Sequence, residues 1–407
     1  MFNCDKERME DKIVTFSKFG DAGHGGITRF SLSPEALQAR AEVCKRMKAI
    51  GAEIKTDDMA NIYATLKGSE DLPAIVTGSH VDSVRNGGNY DGVLGVMTAM
   101  EVAETIATKK IPHRHPITVM VWTNEEGSLY PPAMMSSGVI CGKFDKATML
   151  SHTDPEGRTF GEALDASGYK GDEANRLNGK DYVAMFELHI EQGPILEEEK
   201  KDIGVVQGVL GMVNYRIRTY GQSDHAGTTP MKYRKDALLA AATALKYLHA
   251  ELDKLASDLV YTTGEIVCHP CVHTVIPDLV DFSIDARHRD PEVIKQVVSV
   301  IKNMPKEFDK CRVEYEEMWA RNTVEFNPEL IACVQKSVDG LGYSNMPIYS
   351  GAGHDAQYVA EMLMPTTMIF VPSDEGHSHC EPEHTSVEQC WQGANVLLNA
   401  ILERDKK

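Results

Sequence analysis

A larger α/β domain interrupted by a two-layer ferredoxin-like α/β unit is the architecture this sequence predicts, and three observations predict it. Short apolar runs ending in polar residues, such as PAIVTGSH and PITVMVWTN, alternate with helical segments, the pattern of a buried sheet covered by helices. One stretch reads strand, helix, strand, strand, helix, strand, the order of a compact two-layer unit. A chain of 407 residues is also long for a single core. The expected boundaries are residues 1–212 and 327–407 for the discontinuous larger domain and 213–326 for the insert.

The elements follow in order. Ser33 caps and Pro34 opens a helix through SPEALQARAEVCKRMKAIG, whose apolar residues recur at helical spacing until Gly51 stops it. AEIKTDDMANIYATLKG alternates as a hairpin or edge strands, and PAIVTGSH is a buried strand. Asp91 and Gly92 introduce VLGVMTAMEVAETIATKK, a long helix of small and apolar residues whose N-terminus favours the Asp91 carboxylate. PITVMVWTN and VAMFELHI are further strands, separated by a polar, Gly-rich stretch from Leu150 to Asp181 with helical pieces. In the insert, NYRIRTYGQSDHAG, EIVCHP, LVDFSIDARHRD and RVEYEEMWAR read as strands, and DALLAAATALKYLHAELDKLA and PEVIKQVVSVIKNMP as helices. TTMIFVP and a helix from about Val387 complete the larger domain.

Composition excludes several classes. Hydrophobic residues at 42% and charged residues at 25% are ordinary for a globular protein. A formal charge of −18 argues against nucleic acid or an anionic membrane as partner. The start, MFNCDKERMEDK, is too charged for a secretory signal, and no apolar stretch approaches the roughly 20 residues of a membrane span, so the expected location is cytoplasmic. Nine scattered cysteines fit a reducing compartment. Cys268 and Cys271 form one C-x-x-C, but a structural zinc site needs a second pair and a thioredoxin-type motif a βαβ setting, so packing is the preferred reading. Cys380 receives no role for the same reason.

Five metal-type side chains each follow an apolar run: His80, Asp91, Glu126, His189 and His379. Strand ends of an open α/β sheet are where ligands gather, so residues spread over the whole chain can converge. His80 and Asp82 form H-x-D, which suits a ligand histidine oriented by a carboxylate; a loop histidine beside a capping aspartate is the bland alternative. Asp91 can bridge two cations or simply cap its helix. Adjacent Glu125 and Glu126 after an apolar strand repel or solvate unless a cation neutralises one, which gives Glu126 to a metal and leaves Glu125 as a base toward water; an exposed acidic turn is the bland alternative. His379 has rivals in His377 and His384, among which spacing does not choose. In the insert, His225 is a candidate donor to oxyanion charge, against a plain turn histidine. Arg287, with Arg289 as competitor, can clamp a carboxylate or form a surface ion pair.

The segments GSHVDSVRNGGNYDGVLGV, TNEEGS, ELHIEQGP, DHAGTTPM, DARHRD, GAGHDA and SHCEPE, in that order, resemble the hydantoinase/carbamoylase group of dinuclear metal amidohydrolases. That group includes N-carbamoyl-L-amino-acid hydrolases, allantoate amidohydrolases and β-ureidopropionases, within the wider aminoacylase and carboxypeptidase-like superfamily. The resemblance covers nearly the whole chain. It implies a mixed-sheet metallo-aminopeptidase-like catalytic domain whose insert is a lid and dimerisation domain. It further implies two divalent ions per subunit (Zn²⁺ or Mn²⁺, with Co²⁺ or Ni²⁺ also acceptable to such donors), with His80 and His189 on different metals, Asp91 bridging, and Glu126 and His379 completing the set. By the same resemblance Glu125 is the general base, Asp82 supports a ligand, and Gln192 and His354 contact substrate. His225 stabilises the oxyanion, Arg287 holds the substrate carboxylate, and family dimers form through the lid. The family's N-V-I-P reads Thr274-Val275-Ile276-Pro277 here, which replaces an asparagine contact to the substrate carboxylate by a shorter hydroxyl.

The expected activity is hydrolysis of a carbamoyl or ureido C–N bond in a small carboxylate substrate, first an N-carbamoyl-L-amino acid, with release of ammonia and carbon dioxide. Allantoate and β-ureidopropionate are the alternatives within the group. A dipeptidase or aminoacylase is the rival enzyme. A non-catalytic metal-binding protein is the rival class, disfavoured because Glu125 and every ligand position are present.

Overall fold

Helix signals in the sequence are realised where capping chemistry is explicit. The computed structural model describes residues 1–407. Helix α1 (Lys6–Phe16) starts on Asp5, whose carboxylate accepts the Arg8 N–H at 3.0 Å, and α2 (Pro34–Ala49) starts on Ser33, whose hydroxyl accepts the Ala36 N–H at 3.3 Å. Strands β1 (Glu53–Thr56) and β2 (Ile62–Leu66) form the expected hairpin, and β3 (Ala74–His80) is buried throughout. Helix α3 (Val93–Lys109) has no side-chain cap; Gly92 stands at its start and Asp91 does not cap it. Strands β4 (Ile117–Trp122), β5 (Tyr182–Ile190) and β6 (Ile203–Val209) complete this half of the larger unit.

The second unit, Val209–Val324, contains β7 (Gly211–Tyr220), α4 (Ala237–Leu252), β8 (Val260–Thr262), β9 (Ile266–His269), β10 (Leu279–His288), α5 (Pro291–Asn303) and β11 (Cys311–Arg321). Its antiparallel sheet runs β8, β10, β7, β11, then the short Glu307–Phe308 strand, with β9 also on β10. Alternation along β10 buries Val280, Phe282 and Ile284 against Leu248, Val297 and Ile301 of the two helices, and turns Asp281, Asp285 and Arg287 to the opposite face. The three residues of β8 are too few to carry a period, which is why the sequence shows only β9 there.

The first unit joins Met1–Gly208 to Glu325–Lys407. Its last part holds α6 (Pro328–Leu341), α7 (Asp355–Met362), β12 (Thr366–Val371) and α8 (Val387–Asp405). The nine-stranded sheet runs from Val324–Glu325 through β6, β12, β5, β3, β4, β2 and β1, with Asn345–Ser350 beside β6. The central four, β12, β5, β3 and β4, are mutually parallel and the flanking pairs antiparallel, so the sheet is mixed. Parallel strands buried on both faces explain why these runs are continuously apolar rather than alternating. No helix is long and apolar enough to cross a membrane.

An ion cluster fastens α1 to α3. Lys12, with no side-chain exposure, reaches Glu101 at 2.8 Å and Glu104 at 2.5 Å, and Arg8 reaches Glu101 at 2.6 Å. Burial pushes the Glu101 carboxyl up, but the Arg8 and Lys12 contacts prevail and hold it below its ordinary 4.5. A depressed carboxylate stabilises the fold above its unfolded value and loses that contribution as pH falls through its folded value. Lys12→Met is therefore expected to destabilise the protein by about 3 kcal/mol at neutral pH, since it strands buried carboxylates. The deficit should shrink as denaturation is measured toward about pH 3, where the carboxylates protonate in both proteins. A pH-independent deficit would assign the loss to packing instead.

Candidate metal centre

The four parallel strands end together, and the residues just beyond their ends meet. His80 closes β3, His189 lies one residue before the end of β5, Glu125 and Glu126 follow β4, and His379 lies in the loop after β12. Asp91 occupies the turn before α3. Asn124, with φ of 61°, turns the chain at the end of β4, a conformation asparagine tolerates better than most residues. Its side-chain amide donates to the Tyr130 carbonyl at 2.6 Å and fixes that turn.

Asp91 is the centre of the group. Its Oδ1 lies 3.5 Å from His80 Nε2 and 3.4 Å from His189 Nε2; its Oδ2 lies 3.3 Å from His379 Nε2, which is 3.4 Å from Glu126 Oε2. Of three convergent donor groups, two share Asp91: His80, Asp91 and His189, and Asp91, Glu126 and His379; Glu187, His189 and His354 form the third. His80 and His189 therefore face one point rather than two, contrary to the separation the resemblance implied. The reason is strand order, since β3 and β5 are neighbours and their terminal rings stand 6.1 Å apart on the same side.

The donor chemistry fits a pair of divalent cations. His80 Nδ1 is 2.9 Å from the Asp82 carbonyl and His189 Nδ1 is 2.9 Å from the Ile190 carbonyl, so each ring donates there and turns its Nε2 to Asp91. The Gly92 N–H points at His189 Nε2 from 3.1 Å, which agrees with a lone pair at that atom. Ligands about 2.0–2.1 Å from a tetrahedral ion stand roughly 3.3 Å from one another, close to the spacings here. Glu126 Oε1 is buried without a hydrogen-bond partner. The electrostatics ask for positive charge. Burial pushes His80 down, yet Glu125, Asp91 and Asp82 raise it well above its ordinary value; burial lifts Asp91, yet His189, His379 and His80 hold it far below. Burial, with Asp91 adding, pushes Glu126 up to about 8.

One expectation changes in detail. The Asp82 carboxylate does not orient His80: Oδ1 is 3.9 Å from Nδ1, the main-chain carbonyl does that work, and Oδ2 instead accepts the Glu126 N–H at 3.1 Å. Of the three rival histidines, His377 faces Glu375 at 3.2 Å and His384 faces Asp374, leaving His379 on Asp91 and Glu126. Glu125 is buried, with Oε2 3.6 Å from His80 Nε2. Burial lifts its carboxyl well above the ordinary value against the pull of His80.

Further side chains hold this group. Glu383 accepts the Tyr90 and Asp91 N–H groups, each at 2.9 Å, on Oε1, and the His379 N–H at 3.3 Å and the Ser378 hydroxyl at 3.1 Å on Oε2. One carboxylate thus ties the Asp91 turn to the His379 loop. Ser378 also donates to Asp91 Oδ2 at 2.9 Å, and Gln192 Nε2 donates to the same oxygen at 2.6 Å. The only sequence signal for Glu383 was its place in SHCEPE. Gln192 thus meets the metal-type carboxylate itself.

Beneath the group, the His354 ring packs edge-on against His189 with centroids 4.6 Å apart, and its Nε2 meets the Ser350 hydroxyl at 2.9 Å. Burial, reinforced by His189, pushes His354 well below its ordinary value. Glu187 accepts the Ser79 hydroxyl at 2.6 Å, and Asp355 accepts that of Ser137; burial raises both carboxyls.

The remaining candidates lie in the second unit. His225 is exposed, and its Nδ1 accepts the Gly227 N–H at 2.9 Å, which leaves the ring proton on Nε2. Thr274 is exposed, and its carbonyl accepts the Ala226 N–H at 2.9 Å. Arg287 Nε donates to Asp285 Oδ1 at 2.7 Å, whereas Arg289 lies 3.7 Å from Asp258 on the surface.

Comparison with known proteins places the chain in a family. Residues 76–403 match the description of peptidase family M20/M25/M40. An N-carbamoyl-L-amino-acid amidohydrolase of Paenarthrobacter aurescens is 34% identical over 406 residues, 98% of each chain. An allantoate amidohydrolase of Escherichia coli K12 is 33% identical over 96% of each chain. The crystal structure of an amidase of the hydantoinase/carbamoylase family from Burkholderia multivorans superposes with a TM-score of 0.93 at 37% identity, covering 100% of this chain and 99% of that one. With a mixed sheet, clustered donors and full-length similarity together, the chain belongs to peptidase family M20/M25/M40, among its hydantoinase/carbamoylase amidases.

Proposed function

We propose that this enzyme hydrolyses the C–N bond of a carbamoyl or ureido group in a small carboxylate substrate, first an N-carbamoyl-L-amino acid, with release of ammonia and carbon dioxide. The observation that carries the reading is the meeting of His80, Asp91, Glu126, His189 and His379 around one buried carboxylate, with Glu125 beside them. The residues would hold two divalent ions, Zn²⁺ or Mn²⁺ first and Co²⁺ or Ni²⁺ as alternatives: one by His80, His189 and Asp91, the other by Asp91, Glu126 and His379. When bound, such ions supply Lewis acidity toward a carbonyl and lower the pKa of water to about 7.

Glu125 takes the proton of the attacking water at its carboxylate and passes it to the departing nitrogen. Its burial keeps bulk water from competing for that proton. His225 donates from Nε2 to the developing oxyanion, the tautomer its Gly227 contact favours. Arg287 binds the substrate carboxylate, held in orientation by Asp285. Gln192 orients Asp91, and His354 and Thr274 face substrate in this reading. Allantoate is the alternative substrate, because relatives of both names match at nearly equal identity, 34% and 33%. A homodimer through the second unit is supported by its apolar, exposed edge, where Val260, Ile266 and Val267 line β8 and β9. Nine scattered cysteines fit a reducing compartment, which favours the cytoplasm.

The test is one panel. Protein stripped by chelator and reloaded with each ion is offered N-carbamoyl-L-amino acids, allantoate, β-ureidopropionate, N-acyl amino acids and dipeptides. Ammonia release from ureido acids, lost on chelation and restored by metal, is expected. Turnover of dipeptides alone would overturn the ureidase reading.

A further inference from the structure

Cys268 and Cys271 are the one C-x-x-C among nine free thiols, and the centre described above does not use them. Cys268 lies in β9 opposite Val280 and is half-buried; Cys271 is exposed. The chain bends at Pro270, and Cys271 takes a φ of 59°. A left-handed backbone is uncommon outside glycine, and here it marks a tight turn between the two cysteines.

This turn is continuous with the segment the proposed function places at the substrate. Residues 270–278 join β9 to β10 and are stitched to 221–226. The Ala226 N–H donates to the Thr274 carbonyl, the Ile276 N–H donates to the Asp224 carbonyl, each at 2.9 Å, and His225 forms a β-bridge with Val275. The dithiol turn, Thr274 and His225 thus form one hydrogen-bonded layer within the second unit. A metal reading is not supported there, because every convergent group of three metal-type donors lies in the first unit.

We infer that Cys268 and Cys271 form a reversible intramolecular disulfide, a redox modification site that re-sets the Thr274–His225 layer. Its effect on substrate rests on the proposed function; the disulfide itself does not. The oxidant class is a low-molecular-weight disulfide. The exposed Cys271 thiolate attacks one of its sulfurs, breaking that S–S bond and expelling one small thiolate. The Cys268 thiolate then attacks Cys271 of the mixed disulfide and expels the second. Two cysteines lose two electrons and two protons, and the small disulfide becomes two thiols. Burial, with Cys271, Asp236 and Asp278 adding, raises the Cys268 thiol, which agrees with Cys271 attacking first.

The full-length, metal-loaded enzyme is equilibrated in glutathione buffers of graded oxidised-to-reduced ratio, alkylated and peptide-mapped, with kinetics measured on a ureido acid. At the oxidising end the peptide spanning 268–271 is expected to resist alkylation and to be two hydrogens lighter, reversibly with dithiothreitol. KM is expected to rise about tenfold, the effect of losing a hydrogen bond to a charged group, with a smaller change in kcat. Cys271→Ser should keep the kinetics of the reduced enzyme and lose both responses. Two thiols that stay alkylatable at every ratio overturn the proposal, as does a disulfide that leaves KM unchanged, or a KM response that survives in Cys271→Ser. A third equivalent of zinc released from wild type but not from Cys271→Ser overturns it in favour of a metal site. The mapping needs no turnover, so failure to hydrolyse any ureido acid counts against the proposed function and not against the disulfide.

Discussion

Glu125→Gln is expected to lower kcat by about 10²–10⁴-fold, the span attributable to a positioned general base, while bound metal is retained. The substitution is isosteric and removes only the capacity to accept a proton. Glu125 belongs to none of the donor groups, and its oxygen stands 3.6 Å from His80 Nε2, beside the cluster rather than within it. Its neighbour Glu126 has the opposite placement, inside the second group and 3.4 Å from His379. Two adjacent carboxylates thus have separable consequences: Glu126→Gln should lose metal, and Glu125→Gln should lose turnover. Metal analysis and a cobalt absorption spectrum read the first, single-turnover ammonia release the second. A Glu125→Gln enzyme within a few-fold of wild type would remove Glu125 from the proton path.

Gly92→Ala is expected to lower kcat/KM by about 10²-fold or more, because misplacing a reacting constellation by an ångström costs that much. Gly92 sits at φ 63° and ψ −54°, and the Val93 N–H closes onto the Asp91 carbonyl at 2.6 Å, the geometry of a tight γ-turn. A side chain is strained there by about 1–3 kcal/mol. The added Cβ would also fall 2.2 Å from Cε1 and Nε2 of His80. The ring must move, and it is the ring that faces Asp91. The variant should therefore bind less metal, with an altered cobalt spectrum, and should not recover activity at saturating substrate. Wild-type metal content and kinetics would show that the turn relaxes without disturbing His80.

The two substitutions also mark what a sequence can and cannot display. Glu125 and Glu126 stood out because adjacent acids after an apolar strand are chemically awkward, a property of three or four consecutive residues. Gly92 looked like an ordinary helix start, since nothing local says that an imidazole twelve residues earlier occupies the space of its missing Cβ. Helix α6 carries a local signal of the same grade as α2, with Asn327 capping and Pro328 following.

By itself the sequence determined what is encoded over short spans: the capped helices, the continuously apolar parallel strands, the alternating strands of the second unit and the chemical types of the candidate donors. Periodicity, capping and turn chemistry act within a few residues and are legible there. Tertiary structure alone decided how the donors combine. The order β12, β5, β3, β4 sets His80 beside His189 and brings His379, not His377 or His384, to Asp91. It turns the Asp82 carboxylate to the Glu126 N–H and makes Glu383 the tie between two loops nearly 300 positions apart, with sequence separations of 293 and 292 residues. These are contacts between chain segments remote in sequence, fixed by which strands pair, and strand pairing is decided by burial of the whole sheet rather than by any one of its segments.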